Sequence, residues 1–371
     1  MRKIRVGVFF GGRSSEHEVS LISAKNIVEN LDRSKYDVIL IGADREGNFH
    51  FGKKEISSGD FCKKLSISEK YDLPEKKSAD LPKKMDERLS DVIDVAFPVF
   101  HGQFGEDGTI QGLLRAFNVP FVGSGILGSA IGMDKDVTKR LLRDANIPSP
   151  KHLSFYRHRP PDAADYDKVV AVLGEVVFVK PASLGSSVGI SKTKSKDEFE
   201  KAVEEAFRYD NKIIVEEFIK GREIECSVLG NEYPEASVPG EILLKKHEFY
   251  SYRAKYLDDD GAELKIPADL STEVVDKIKQ TAIRAFEVLC CEGMARIDFF
   301  VKNDTEVFLN EINTIPGFTK ISMYPKLWEA SGVPYGELLD RLITLATERH
   351  RRDGKLSVAF CAEAGSPAEI S

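Results

Sequence analysis

Nothing in the 371 residues reads as a membrane span: no stretch approaches the roughly 18 consecutive apolar residues that a bilayer-crossing helix needs. Cysteine is scarce. Cys62, Cys226, Cys290, Cys291 and Cys361 form no CxxC pair and no zinc-type spacing with the seven histidines, which points to reduced, structural thiols and against a disulfide scaffold or a nucleophilic cysteine. A basic excess is also missing. With 53 Lys and Arg against 60 Asp and Glu the formal charge is −7, so there is no general electrostatic reason to bind nucleic acid or an anionic membrane surface, and any anionic ligand must be met by local cations. The glycine-serine run Leu184 to Gly189 has neither the GxxxxGK[ST] nor the GxGxxG spacing, which disfavours the Walker-type and dinucleotide-binding readings for it. The opening MRKIRVGVFFGG is too short in its apolar run for a leader and reads as a first buried strand; a cytoplasmic enzyme is expected.

What is present is ordinary for a globular enzyme: 42% hydrophobic and 30% charged residues, in a chain longer than one core usually supports, so two or three units are expected. Ile4 to Phe10 reads as a strand, Val19 to Leu31 as a helix face and Val38 to Ile41 as a second strand, a βαβ opening. Residues from about 51 to 90 are rich in lysine, serine and acids and read as a surface insertion. A buried strand over Val92 to Val99 and a helix over Thr109 to Phe117 complete an α/β unit ending near Gly123. The glycine-rich run Gly123 to Gly132 suits a crossing into a polar helix that starts near Asp134 and stops before Pro148 and Pro150. Strands at Val176 to Lys180 and Ile213 to Glu217 flank a helix opened by the capping-box pattern Ser195 to Glu198, a compact α+β module. Strands near Glu223 to Leu229, Ala295 to Val301 and Val307 to Glu311, with a helix from Thr272 to Leu289, make a third unit. The division expected is 1–123, 124–220 and 221–356, with 357–371 a flexible tail.

Four segments carry candidate chemistry. In Arg296-Ile297-Asp298 and Glu311-Ile312-Asn313, period-2 alternation sends Arg296 with Asp298, and Glu311 with Asn313, to one face of each strand. Two carboxylates and an amide oxygen are hard ligands suited to Mg²⁺ held together with phosphate oxygens; the same alternation also describes outward-facing polar residues on a half-buried sheet. Lys180 ends a strand and roots the run Leu184-Gly185-Ser186-Ser187-Val188-Gly189, whose backbone N–H groups could cover phosphates, although glycine and serine alone are a weak signal. Gly11 to Glu18 lies between the first strand and helix, where α/β folds present ligand sites; acids there equally suit the helix dipole. His101 to Gly108 is a similar loop in which His101 is ambiguous by itself.

Taken together, GGRSSEHEVS, FHGQFGEDG, MDK, VKPASLGSSVG, YRAKY, ARIDFF and NEINTIPGFT occur in the order seen in the D-alanine:D-alanine ligases, and the chain resembles that family over nearly its whole length outside the insertion and the tail. The resemblance implies the ATP-grasp fold: an N-terminal α/β domain followed by two α+β lobes that clamp ATP. It implies that Lys135, Lys180, Ser187 and Lys255 serve ATP, with Glu216 and Ile219 at the adenine and Glu223 at the ribose. Asp298, Glu311 and Asn313 match ligands of two Mg²⁺ ions, for which Mn²⁺ is a possible substitute. Arg296 and the N–H of Gly317 match oxyanion stabilisers. Glu16, with His101 nearby, corresponds to the group holding the first D-alanine's ammonium; Lys255 and Ser322 match groups for the second carboxylate, and Met323 stands in the substrate-binding position beside the substrate methyl where the family often has leucine. Glu16, Ser186 and Tyr256 resemble the network that closes the loop from Tyr250 to Pro267 over the site. Retention of Lys255-Tyr256 favours a dipeptide product over D-alanyl-D-lactate; ligases for other D-amino acids and a non-catalytic ATP-binding homologue are the alternatives. D-Alanine and ATP are the expected small-molecule partners, and a homodimer is inherited from the family.

Overall fold

A computed structural model describes residues 2–51, 89–158, 166–186, 188–244 and 262–357. The first apolar run forms β1 (Ile4–Gly11), buried from Val6 onward on both faces, as a strand flanked by parallel neighbours must be. It pairs in parallel with β2 (Tyr36–Ala43) and β4 (Val95–Pro98), and β3 (Phe49–Phe51) adds an antiparallel edge. The connection from β1 to β2 is α1 (His17–Asn30). The strand expected over Val92 to Val99 is shorter: Leu89–Val92 is a helical turn, α2, because Asp94 turns back to accept from the Arg5 backbone and guanidinium. Helix α3 (Thr109–Ala116) follows on the expected pattern.

The glycine run departs from expectation, for it is itself mostly helix: α4 (Ile126–Met133) precedes α5 (Lys135–Asp144), with Asp134 capping α5 by accepting from the N–H groups of Asp136 and Val137. Its glycines serve packing. A Cβ on Gly128 would lie 2.5 Å from the Cys290 carbonyl oxygen, and one on Gly132 would lie 3.2 Å from Thr314.

The second sheet, in the order β5 (His152–Tyr156), β8 (Lys212–Glu217), β6 (Val177–Pro181), β7 (Ser191–Thr193), is antiparallel throughout. Helices α6 (Tyr166–Leu173) and α7 (Lys196–Tyr209) bury Val169, Leu173, Phe199 and Val203 against it. Ser195 caps α7 by accepting from Glu198 N, but the Glu198 carboxylate returns to Lys194 N at 2.8 Å, one residue earlier than a reciprocal box requires. The third sheet runs β12 (Ala262–Lys265), β11 (Gly240–Leu244), β9 (Arg222–Gly230), β13 (Gly293–Lys302), β14 (Glu306–Asn313), with β10 (Glu235–Ala236) on β9. Helices α8 (Thr272–Val288), α9 (Met323–Ala330) and α10 (Tyr335–Asp353) complete the described chain, and none of its helices is long and apolar enough to cross a membrane.

One core crosses between the first and third sheets, and a second joins a helix to the third sheet. Val8, Phe97 and Ile27 of the first unit share one with Leu229, Met294, Phe318 and the α10 residues Leu338 and Leu342. Leu142 of α5 belongs with Phe286, Ile297 and Leu309 of the third sheet's core. Burial of a leucine-sized side chain stabilises by about 2 kcal/mol, so these shared surfaces fix the first sheet, the third sheet and α5 relative to one another.

Candidate active site

The third sheet presents its charges in a row. In register, Asp298 on β13 faces Glu225 on β9 and Glu311 on β14, so three carboxylates stand abreast. Like charges directly opposite one another on a sheet repel, and such a row requires cations. Arg296 supplies one: its Nε lies 2.8 Å from both Glu225 and Asp298, and Nη2 donates to the second Asp298 oxygen at 2.8 Å. Asn313, opposite Arg296 in the ladder, donates its amide to Asp298 at 3.0 Å. Lys135 reaches Glu311 at 3.6 Å while donating to the Leu184 carbonyl at 2.6 Å, which brings the N-terminus of α5 and the glycine-serine loop to the same place. A bulge follows Asp298, where the register shifts.

Asp298 and Glu311 line a cleft of about 400 Å³ together with Lys180, Gly185, Ser186, Ile219 and Glu223. That volume falls in the range of small-molecule sites, roughly 300–1,000 Å³. Its floor holds a buried cluster in which Glu216 accepts from Lys180 at 2.5 Å and lies 3.0 Å from Lys139. Burial pushes the Glu216 carboxyl upward, but the two ammonium groups outweigh it and hold the group at about 2.

The second constellation joins the first unit to both of the others. Glu16 occupies the N-cap position of α1 yet does not cap it, because its carboxylate accepts from the Ser186 hydroxyl instead. Ser186 is held at φ +51, a left-handed conformation that costs a serine roughly 1 kcal/mol. Gly102 must be glycine here: with φ +74, a Cβ would meet the Glu16 carboxylate at 2.8 Å. His101 is buried with both ring nitrogens engaged. Nδ1 donates to the Ile315 carbonyl at 3.0 Å, so Nε2, 3.2 Å from the Ser23 hydroxyl, is the acceptor. Burial lowers its pKa against the pull of Glu16, in keeping with that neutral tautomer.

These contacts hold the turn that carries Gly317. Phe318 N donates to Ser23 at 3.2 Å, and the Phe318 carbonyl accepts from Asn26 at 2.7 Å and Tyr335 at 2.9 Å. Glu106 bridges the two loops, accepting from Gly102 N at 2.8 Å and Ile315 N at 3.1 Å. Burial, with Glu16 nearby, pushes its carboxyl up to about 8. Ser322 closes the turn, accepting from Thr319 N at 3.0 Å, and a Cβ on Gly317 would meet its hydroxyl at 2.7 Å. Met323 lies in a small core with Ile242 and Leu327.

Of the residues singled out by sequence, Lys180, Ser186, Glu216, Ile219, Glu223, Asp298 and Glu311 share the cleft, while Glu16 meets it through Ser186, and His101, Gly317 and Ser322 gather around the turn that follows Ile315. Ser187, Lys255 and Tyr256 lie outside the described residues. Sequence reasoning passed over Glu106, Lys139, Glu225 and Asn26. Glu106 stood inside a loop already singled out, and Lys139 lies one helical turn after Lys135; nothing local marked Glu225 or Asn26, whose partners are 71 and 292 residues away.

Comparison with known proteins bears on this arrangement. Residues 5–124 match the family described as D-ala D-ala ligase N-terminus, and 141–344 match D-ala D-ala ligase C-terminus. The D-alanine--D-alanine ligase of Oceanobacillus iheyensis is 50% identical over 360 residues, covering 95% of this chain and 98% of that protein. Among solved structures, the VanG D-Ala:D-Ser ligase of Enterococcus faecalis superposes with a TM-score of 0.79 at 33% identity, over 93% of this chain and 100% of that one. The ATP complex of the Bacillus anthracis D-alanine--D-alanine ligase gives 0.71 at 26% identity, over 95% and 100%.

Proposed function

The chain belongs to the D-alanine–D-alanine ligase family, and from that premise we propose that it is a cytoplasmic enzyme joining two D-alanine molecules to D-alanyl-D-alanine for peptidoglycan, at the expense of ATP. The observation that carries the reading is the placement of Asp298 and Glu311 opposite one another, lining one cleft with Lys180 and beside Lys135, with Arg296 at their side. The division at residues 123 and 220, with a tail after 356, belongs to the same proposal.

A carboxylate that attacks a γ-phosphate brings two anions within bonding distance, and the site must offset that repulsion. Lys135 and Lys180 meet phosphate oxygens as mobile point charges, with Ile219 on the adenine and Glu223 on the ribose. Asp298, Glu311 and the amide oxygen of Asn313 are hard oxygen donors that fit two Mg²⁺ ions, or Mn²⁺, held jointly with phosphate. When bound, the ions neutralise the charge between nucleotide and acyl donor.

Glu16, held by Ser186, takes the ammonium of the first D-alanine, whose own carboxylate attacks the γ-phosphorus of ATP, breaking the β,γ bond so that ADP leaves and the acyl phosphate forms. The amine of the second D-alanine attacks, and Arg296 with the Gly317 N–H receives the oxyanion of the tetrahedral intermediate, a contribution of about 3 kcal/mol per preorganised donor. Phosphate leaves with the dipeptide formed. Lys255 and Ser322 serve the second carboxylate and Met323 the substrate methyl, and Tyr256 serves to exclude water from the acyl phosphate. The exposed apolar side chains Phe104, Leu113 and Phe117 support a homodimer formed through the first unit.

A second reading keeps the chemistry and changes the acceptor to another D-amino acid or D-lactate, since a D-Ala:D-Ser ligase shares this fold. Incubation with Mg-ATP and D-alanine, with L-alanine, D-serine and D-lactate arms, separates the readings. One ADP per D-alanyl-D-alanine supports the proposal, a mixed product supports the second reading, and no ADP with any acceptor refutes both.

A further inference from the structure

Lys139 is among the largest fully buried side chains of the chain, a lysine with 1% of its surface exposed on α5. Its ammonium lies 3.0 Å from Glu216 Oε1 and donates to the Asn310 carbonyl at 3.3 Å on β14, the residue before Glu311. The other oxygen of Glu216 accepts from Lys180 at 2.5 Å. One buried carboxylate is thus shared by two ammonium groups in unlike positions. Lys180 borders the cleft beside the glycine-serine loop, whereas Lys139 is walled off behind Glu216.

A phosphate drawing Lys180 toward itself must take it from Glu216. A buried carboxylate left without a cation is strongly unfavourable, so in a site holding Lys180 alone the ammonium would stay pinned to Glu216. A second cation already in contact removes that obstacle. We propose that Lys139 is a positioning residue for nucleotide binding: it holds Glu216 in a permanent ion pair, so that Lys180 can pass from Glu216 to the phosphates. Its bond to the Asn310 carbonyl also ties α5 to the strand carrying Glu311, which keeps this counter-charge fixed when Lys180 moves. Burial pulls the Lys139 ammonium below the ordinary lysine range, with Glu216 opposing and Lys180 adding to the effect; departure of Lys180 therefore strengthens the remaining pair.

The inference rests on the reading of the cleft as an ATP site, and calorimetric titration of the full-length protein with ATP, ADP and adenosine tests the two separately. Failure of the wild type to bind ATP, or unchanged ATP affinity in Lys180→Met, overturns the site reading itself. Given that site, Lys139→Met is expected to weaken ATP and ADP by about tenfold or more while adenosine changes less than about twofold. In a Glu216→Gln background, where no carboxylate needs a partner, Lys139→Met is expected to leave the ratio of ATP to adenosine affinity unchanged. Equal losses for ATP and adenosine, unchanged affinity for both, or loss of fold in both Lys139→Met and the double variant would overturn the proposal and assign Lys139 to the core.

Discussion

The two ends of the site are built differently. Around Gly317 the groups are held by hydrogen bonds to backbone: Ser23, Asn26, Tyr335, His101 and Glu106 each bond a carbonyl or N–H of the turn over 314–318. In the nucleotide cleft the charged side chains are instead paired with one another, Arg296 with Asp298 and Glu225, Lys180 with Glu216, and Lys135 with Glu311. The first arrangement fixes donors before any ligand arrives, as an oxyanion site requires. The second stores compensated charge, and a polyanion with its cations must exchange partners with it. Preorganised backbone and exchangeable ion pairs are two solutions to the same problem of keeping polar groups buried without leaving them unsatisfied.

Substitutions that unbalance the paired end should have the largest effect. Asp298→Ala or Glu311→Ala is expected to lower turnover by at least ~100-fold, with only partial recovery at high Mg²⁺. Steady-state kinetics across a metal titration check this, and near-normal turnover would remove both residues from the metal role. At the backbone-held end the expected effect is smaller and of another kind. Asn26→Ala strips one donor from the Phe318 carbonyl, costing about 1 kcal/mol or more of stability, and should lower kcat several-fold while leaving ATP affinity unchanged. A shift in ATP affinity without a change in kcat would erase the distinction between the two ends.

The smallest effect concerns pH. Glu106 titrates near 8 in the folded chain and near 4.5 when unfolded, so between those values the folded state retains a proton that the unfolded state releases. Its contribution therefore makes stability fall as pH rises through that window, by at most about 1.4 kcal/mol per pH unit. Glu106→Gln should flatten the dependence of denaturation midpoint on pH between 5 and 8 relative to the wild type. An unchanged slope would show that the two N–H donors, rather than burial, govern the carboxyl.

Much of this was legible beforehand where the signal is local. The period-2 pattern put Arg296 with Asp298, and Glu311 with Asn313, on one face of each strand because a strand must alternate, and the structure adds that Asp298 and Glu311 are direct ladder partners. Ser195 capped its helix as its position implied. The run from Gly123 to Gly132 misled because glycine ordinarily marks a turn. Here Gly128 and Gly132 sit inside a helix so that it can approach the Cys290 carbonyl and Thr314, elements more than 150 residues away in sequence. His101 was similarly opaque, since its two partners come from α1 and from the turn at Ile315.

The sequence by itself determined the central strands β1, β2, β4, β6, β8, β9, β13 and β14, the helices α1, α3, α5, α7 and α8, and the family to which the ordered motifs belong, because periodicity, capping and motif order are properties of neighbouring residues; the remaining strands and helices were not read from such signals. Only the tertiary structure decided which charges neutralise which. Lys139, Glu216 and Lys180 come from a helix and two strands, and Glu225 meets Arg296 only because β9 lies beside β13. A Coulomb interaction depends on distance and desolvation, and chain separation fixes neither.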